Sequence, residues 1–237
     1  MLLDSPRFMP GDREHWRRME ALDARWCLTL AFARKVDRAL RALDAFHATH
    51  DGAGYCGVSW GKDSCVVAHL CAGRWPLVWV RVLGIENPEC SAVQAEFARQ
   101  TGFASVTIDV HLDVDSDGVA HATGTLERGF AEAVARFGRP HVSGIRSDES
   151  SSRRMRHARW GENSPHTCAP LSAWTGEDVF AYLHLHQLPV HPAYAMTLGG
   201  RLDRNRIRVA SIGGKRGTGV GRAEWEQTYY SDVLASQ

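Results

Sequence analysis

No run of 18 or more apolar residues interrupts this 237-residue sequence, which excludes a membrane-spanning helix. The opening MLLDSPRFMPGDREHW lacks a basic segment followed by an apolar one, so no secretory leader is expected, and a cytoplasmic location is. Cys27, Cys56, Cys65, Cys71, Cys90 and Cys168 include no C-x-x-C spacing. That argues against structural zinc, an iron–sulfur cluster or a disulfide framework, and leaves most of the thiols as small buried apolar groups. An excess of either charge is missing too. A formal net charge of +1 does not by itself suggest nucleic-acid binding, so any basic surface has to be local.

What is present is an ordinary globular composition, 44% hydrophobic and 23% charged, over a length that suits one large domain or one domain with a small appendage. Residues 12–48 read as one or two helices, with Trp26, Leu30, Ala33, Val36, Leu40 and Leu43 at three- and four-residue spacing. After the break at 51–54, short apolar runs alternate with helical patterns. The predicted strands are Tyr55–Ser59, Leu77–Leu83, Ala104–Val110 and His141–Ile145; the predicted helices are 63–72, 88–100 and 125–137, each stopped by a glycine. Such alternation implies an α/β fold: an open, mostly parallel, five-stranded sheet with helices on both faces. The expected organisation is an amino-terminal helical extension over 1–50, an α/β domain over 51–195 and a basic Gly/Arg-rich segment with a final helix over 196–237. Ligands of these sheets sit at the carboxyl ends of the strands.

Just past the first strand comes Ser59-Trp60-Gly61-Lys62-Asp63-Ser64, running straight into a helix. Small residues there turn backbone N–H groups outward as an anion nest, and the helix N-terminus adds partial positive charge. Gly61 permits close approach of a phosphate, Lys62 supplies a mobile charge, Ser59 and Ser64 supply hydroxyls, and Asp63 caps the helix or orients Lys62. The bland alternative is a helix cap that happens to contain lysine. It is not a Walker A loop: Cys56 stands where that pattern needs glycine, and Asp63 follows the lysine.

Val58–Ser64 resembles the PP-loop of the adenine nucleotide α-hydrolase-like group, usually SGGKDS, with Trp60 replacing the first glycine. Gly144-Ile145-Arg146-Ser147-Asp148-Glu149-Ser150-Ser151-Ser152-Arg153-Arg154 looks like the G-[IT]-R-x-x-E-S-x-x-R segment of phosphoadenosine phosphosulfate (PAPS) reductases and their relatives. Pro170–Val179 looks like their P-L-x-x-W-T-x-x-D-V, and Leu188–Tyr194 like their L-P-x-x-P-x-Y. The resemblance covers roughly residues 50–195 and implies a HUP-like PP-loop architecture. It also implies binding of ATP with Mg²⁺ and cleavage between the α- and β-phosphates. On that basis Lys62 and Arg146 are the candidate catalytic residues. Ser59, Trp60, Gly61, Lys62, Asp63, Ser64, Gly144, Arg146, Glu149, Arg153 and Arg154 are the candidate nucleotide-binding residues, with Glu149 placed to fix an arginine or help hold magnesium.

The reductases of that family carry a nucleophilic cysteine near the carboxyl end, in E-C-G-x-H; here the last cysteine is Cys168. Sulfonucleotide reduction is therefore disfavoured unless a partner supplies the thiol. The leading expectation is an ATP pyrophosphatase that adenylylates an acceptor, for sulfur incorporation into tRNA or DNA. Sulfur would come from a donor protein such as a cysteine desulfurase. Cys168 is the candidate sulfur carrier, against the alternative of a packed thiol. Arg201, Arg204, Arg206, Arg208, Lys215 and Arg216 are candidate nucleic-acid contacts, with Trp225 and Tyr229 available to stack on bases. The alternative for this stretch is a solvated lid. A small-acceptor adenylyltransferase, of the sulfate adenylyltransferase or FAD synthetase kind, and a non-catalytic nucleotide sensor stay open. Asp113–Gly118 starts like a calcium loop but lacks the twelfth-position glutamate. It is assigned to a solvated loop. His184, His186 and His191 are not expected to bind metal.

Overall fold

The computed structural model describes residues 1–111, 122–209, 211–213 and 221–236. The amino-terminal periodic stretch is two helices, α1 (Asp12–Trp26) and α2 (Leu30–Thr49). They separate at residues 27–29 because Thr29 caps α2, its hydroxyl accepting from the Phe32 N–H. Alternation then follows as β1 (Tyr55–Val58), α3 (Lys62–Cys71), β2 (Leu77–Leu83), α4 (Cys90–Thr101), β3 (Ser105–His111), α5 (Ala122–Phe137) and β4 (His141–Val142). After these come α6 (Ser151–Trp160), β5 (Asn163–Ser164), β6 (Thr167–Cys168), α7 (Gly176–Leu185), α8 (Arg222–Tyr229) and α9 (Ser231–Ala235). Residues 113–118 lie outside the described residues.

The fold is the expected α/β class with helices on both faces, but the sheet has six strands where five were expected, in the order β3-β2-β1-β4-β6-β5. All pairings are parallel except β5 with β6. Strands β5 and β6, which none of the four predicted spans covers, are two residues each, too short to show any alternation in sequence. The stretch 153–159, which carries Arg153, Arg154, Arg156 and Arg159, lies on helix α6, although no residue of that helix is buried. Ser150 starts it by accepting from the Arg153 N–H.

Strand β2 shows how the sheet divides two cores. Leu77 and Trp79 join the larger buried cluster, while Val78, Val80 and Val82 face the smaller one under α5 with Ile108, Val110 and Ala133. This is the period-two alternation of a strand covered on both sides. The larger cluster takes in Trp16, Phe32 and Phe46 from the first two helices and Trp225, Tyr229 and Tyr230 from the carboxyl end. No helix of the described residues is long and apolar enough to cross a membrane.

What matters for the site is that β1 is central. From β1 the chain moves outward to β2 and β3, then crosses back to add β4 on the other flank. The connections leaving β1 and β4 therefore diverge. A crevice opens between their carboxyl ends, the place where such sheets receive ligands.

Candidate functional site

Two segments meet in this crevice, 59–64 after β1 and 143–149 after β4. Gly144 makes the meeting possible: a Cβ there would stand 2.9 Å from the carbonyl carbon of Asp63 and 3.0 Å from its oxygen. Only hydrogen fits, so the second segment presses directly on the first turn of α3. Gly61 is confined less tightly and by side chains, its absent Cβ lying 3.1 Å from the Tyr194 hydroxyl and 3.2 Å from a Val209 methyl. Helix α3 starts at Gly61 with no side-chain cap. The Lys62 N–H donates to the Tyr194 hydroxyl at 3.0 Å, and the Ser64 hydroxyl donates to the Gly61 carbonyl at 3.0 Å. Ser59 is exposed at the mouth.

Trp60 occupies the position of the first glycine in the SGGKDS pattern that this loop resembles, and its backbone is left-handed at φ +57°. Its indole points away from the crevice, fully buried against Trp79 and Phe97 with ring centroids 6.3 and 5.5 Å away. Only its backbone is left to shape the loop.

Behind the loop lies a chain of paired charges. Lys62, 3% exposed, reaches Asp63 Oδ2 at 2.8 Å, and Asp63 Oδ1 accepts from Arg146 Nε at 2.6 Å. Asp63 thus orients both cations rather than capping the helix. Arg146, 2% exposed, also donates Nη1 to both Asp148 oxygens at 2.7 and 2.6 Å. Glu149 accepts from the Arg146 N–H and from Arg153 Nη1. It fixes arginines here, one of the two roles expected. Burial lowers the pKa of the Lys62 ammonium, with Arg146 adding to the effect and Asp63 opposing it. Burial also lowers that of Arg153, and repulsion from the exposed Arg208 reinforces this. Arg154, by contrast, is exposed and bonds Ser151 Oγ at 3.0 Å.

Sequence reasoning missed three members of this arrangement. Tyr194 was seen only as part of a motif, yet it holds the Lys62 amide and lies 5.3 Å below the Lys62 ammonium. Asp148 stands at a variable position of its motif. Val209 is an apolar residue in a stretch read as basic, and no local signal marks it.

The structure corrects three further expectations. Cys168 is completely buried in β6, and burial raises its thiol pKa, so it is a packed thiol and not an accessible sulfur carrier. Arg204 is 5% exposed, pairs with buried Asp23 at 2.6 Å and lies over the Phe180 ring at 4.0 Å. It is an internal cation, unavailable to a nucleic acid. Trp225 and Tyr229 are buried as well, the indole donating to the Met196 carbonyl at 2.7 Å and the phenol to Asp12 at 3.0 Å, so neither offers a stacking face. Arg201, Arg206 and Arg208 are exposed; Arg201 pairs with Glu224 at 3.3 Å. Lys215 and Arg216 lie outside the described residues. Arg201 and Arg204 line a cavity of about 750 Å³ with Trp26, Lys35 and Glu177, and no residue of the phosphate-type loop borders it.

The three histidines do not converge. His184 Nδ1 is 3.7 Å from Glu20, the His186 ring is 4.8 Å from that of His69, and His191 is buried with Nδ1 accepting from the Ala193 N–H. Among the described residues no three His, Cys, Asp or Glu side chains gather as a metal site.

Fold and site together define an open α/β protein with an uncapped helix N-terminus, a lysine and a buried arginine at its topological switch point. The chain belongs to the phosphoadenosine phosphosulfate reductase domain family, whose model matches residues 55–219. It is 26% identical over 181 residues to sulfate adenylyltransferase subunit 2 of Alkalilimnicola ehrlichii, covering 57% of this chain. That span is 56% of the relative's length, under two thirds of it. The crystal structure of a PAPS reductase from Candida auris, in complex with phosphate, matches 58% of this chain and 74% of that one at 13% identity, with a TM-score of 0.40.

Proposed function

We propose that the protein is an ATP pyrophosphatase that transfers the adenylyl group of ATP to an acceptor oxygen and releases pyrophosphate. The observation that carries this reading is the placement of Lys62, Arg146 and the start of α3, where Tyr194 takes the Lys62 N–H and the N-cap Gly61 offers no side chain, at the divergence of β1 and β4. In this reading the acceptor oxygen attacks the α-phosphorus, the bond to the β-bridging oxygen breaks, and pyrophosphate leaves with the electron pair. The backbone at Gly61, the Ser59 and Ser64 side of the loop and Lys62 receive the β,γ-phosphates. Arg146 receives the α-phosphate, and Arg153 adds positive charge at the mouth. Catalysis of this kind rests on positioning and on charge stabilisation. Mg²⁺ would be held chiefly by nucleotide oxygens, with Glu149 already committed to arginines, and would neutralise charge on the departing pyrophosphate.

A small oxyanion of the sulfate type is the acceptor favoured here, because the relative from Alkalilimnicola ehrlichii is a sulfate adenylyltransferase subunit and because Trp225 and Tyr229 are buried. The nucleic-acid reading retains exposed Arg206 and Arg208 but loses its stacking platform, and it would need sulfur from a partner protein. Sulfonucleotide reduction with a thiol of this chain is disfavoured, since five cysteines are buried and Cys27 is half-buried with its pKa raised by burial.

The test is release of pyrophosphate and AMP from ATP and Mg²⁺, alone and with sulfate, FMN, tRNA or single-stranded DNA. Lys62→Ala is expected to lower pyrophosphate release by about 10²–10³, the loss typical of one transition-state contact. Its circular dichroism and melting should be compared in parallel. Undiminished release from the folded variant would sink the mechanism, and stimulation by DNA but not by sulfate would reverse the choice of acceptor.

A further inference from the structure

Three carboxylates surround the Arg146 guanidinium, and they are not equivalent. Asp63 sits in the first turn of α3 and is shared with Lys62. Glu149 is shared with Arg153 and with the Arg146 backbone. Asp148 differs: its side chain is 44% exposed, and both its oxygens take hydrogen bonds from the single nitrogen Nη1. It is the carboxylate that can swing into solvent without breaking a hydrogen bond to a second cation, although Lys62 and Arg153 also feel its charge. Lys62, Arg146 and Arg153 are balanced by Asp63, Asp148 and Glu149, so with Asp148 in place the excess positive charge offered to an arriving anion comes from exposed Arg208 beside Arg153. Turning Asp148 outward uncovers one positive charge on a buried guanidinium, which then requires a replacement anion.

We propose that Asp148 is a built-in competitor for the oxyanion that Arg146 receives, and that it makes the site select polyphosphate over single tetrahedral anions. The proposal rests on the nucleotide reading above and adds a specificity residue to it. A competitor tethered two residues from the guanidinium acts at an effective concentration on the order of millimolar. A lone phosphate or sulfate that displaces it exchanges one charge-assisted hydrogen-bonded pair for another and gains little. A pyrophosphate or triphosphate keeps a second set of oxygens for the start of α3 and for Lys62, groups that Asp148 does not touch, and so gains enough to displace it.

The experiment measures dissociation constants of inorganic phosphate, sulfate and pyrophosphate by calorimetry at fixed ionic strength, for the full chain and for Asp148→Asn and Asp148→Glu. Asp148→Asn should bind phosphate and sulfate about tenfold more tightly, the factor of one charge-assisted hydrogen bond no longer broken. Pyrophosphate should change less, so the selectivity narrows; Asp148→Glu should restore part of it. If wild type binds pyrophosphate and the variants show the same selectivity, the competitor role is wrong while the anion site stands. If none of the folded proteins binds pyrophosphate, the anion site itself fails and the proposal with it. Asp148→Asn leaves the buried Arg146 guanidinium with Asp63 and Glu149, so its melting temperature should fall modestly with the fold retained, while Asp148→Glu should stay nearer wild type.

Discussion

A tryptophan in a left-handed turn is the least expected residue of the loop, and energetics account for it. Left-handed backbone costs a non-glycine residue roughly 1–2 kcal/mol, whereas truncating a fully buried tryptophan costs about 3–5 kcal/mol. Burial of Trp60 against Trp79 and Phe97 therefore offsets the strain, together with the cost of an indole N–H that is buried without a partner. His191 offers a sharper test at this scale. Its Nδ1 accepts from the Ala193 N–H, and burial pushes its pKa down to about 3. Between pH 6.5 and that value the unfolded chain binds the proton and the folded chain does not, so stability falls as pH falls. The loss reaches about 2 kcal/mol at pH 5 for a histidine held neutral. His191→Asn, which keeps an acceptor in place of Nδ1, is expected to flatten the decline in urea midpoint between pH 7 and pH 5. An unchanged decline would transfer the acid sensitivity to other groups, such as His69, whose pKa burial lowers to about 4.

Among the elements, the contact between the β4 connection and α3 decides whether a site exists. Gly144→Ala would place a methyl about 2.9 Å from the Asp63 carbonyl carbon, a backbone atom that cannot step aside. We expect a stability loss of roughly 1–3 kcal/mol and a larger proportional loss of pyrophosphate binding, because Asp63 carries both Lys62 and Arg146. Denaturant melts and calorimetry on the same preparation check this; full-strength binding would show that the segments do not cooperate. Several elements were legible in the sequence. Strand β2 ends where its β-branched and aromatic run ends, and α4 stops at Gly102 in a left-handed C-cap. Strands β5 and β6 were not legible, since two residues carry no period. Helix α6 was hidden because it buries nothing, leaving Ser150 as its sole local signal.

For the molecule as a whole, the basic carboxyl-terminal stretch is partly structural. Arg204 crosses from it to Asp23 in α1 and lies over Trp16 and Phe180, joining the two ends of the chain through one buried pair. Removing one partner of such a pair typically costs about 3–5 kcal/mol, because the other charge stays buried alone. Arg204→Ala is therefore expected to lower the denaturation midpoint strongly, while Arg206→Ala, with a side chain 90% exposed, leaves it within about 0.5 kcal/mol. Equal, small effects on stability from both would restore Arg204 to the solvent-facing basic surface.

The alternation of strands and helices from β1 to β4, the glycine stops and the lysine loop were decided locally, by periodicity, turn chemistry and small residues, and these could be read directly. Which charges meet was not local. Asp63 and Arg146 are 83 positions apart, and Arg204 and Asp23 are 181 apart. A run of arginines looks equally solvated whether it faces water or a buried carboxylate. A lone cysteine such as Cys168 looks equally reactive whether exposed or enclosed. Only packing around β1 separated these cases, because burial and pairing depend on neighbours that the chain brings together after it has folded.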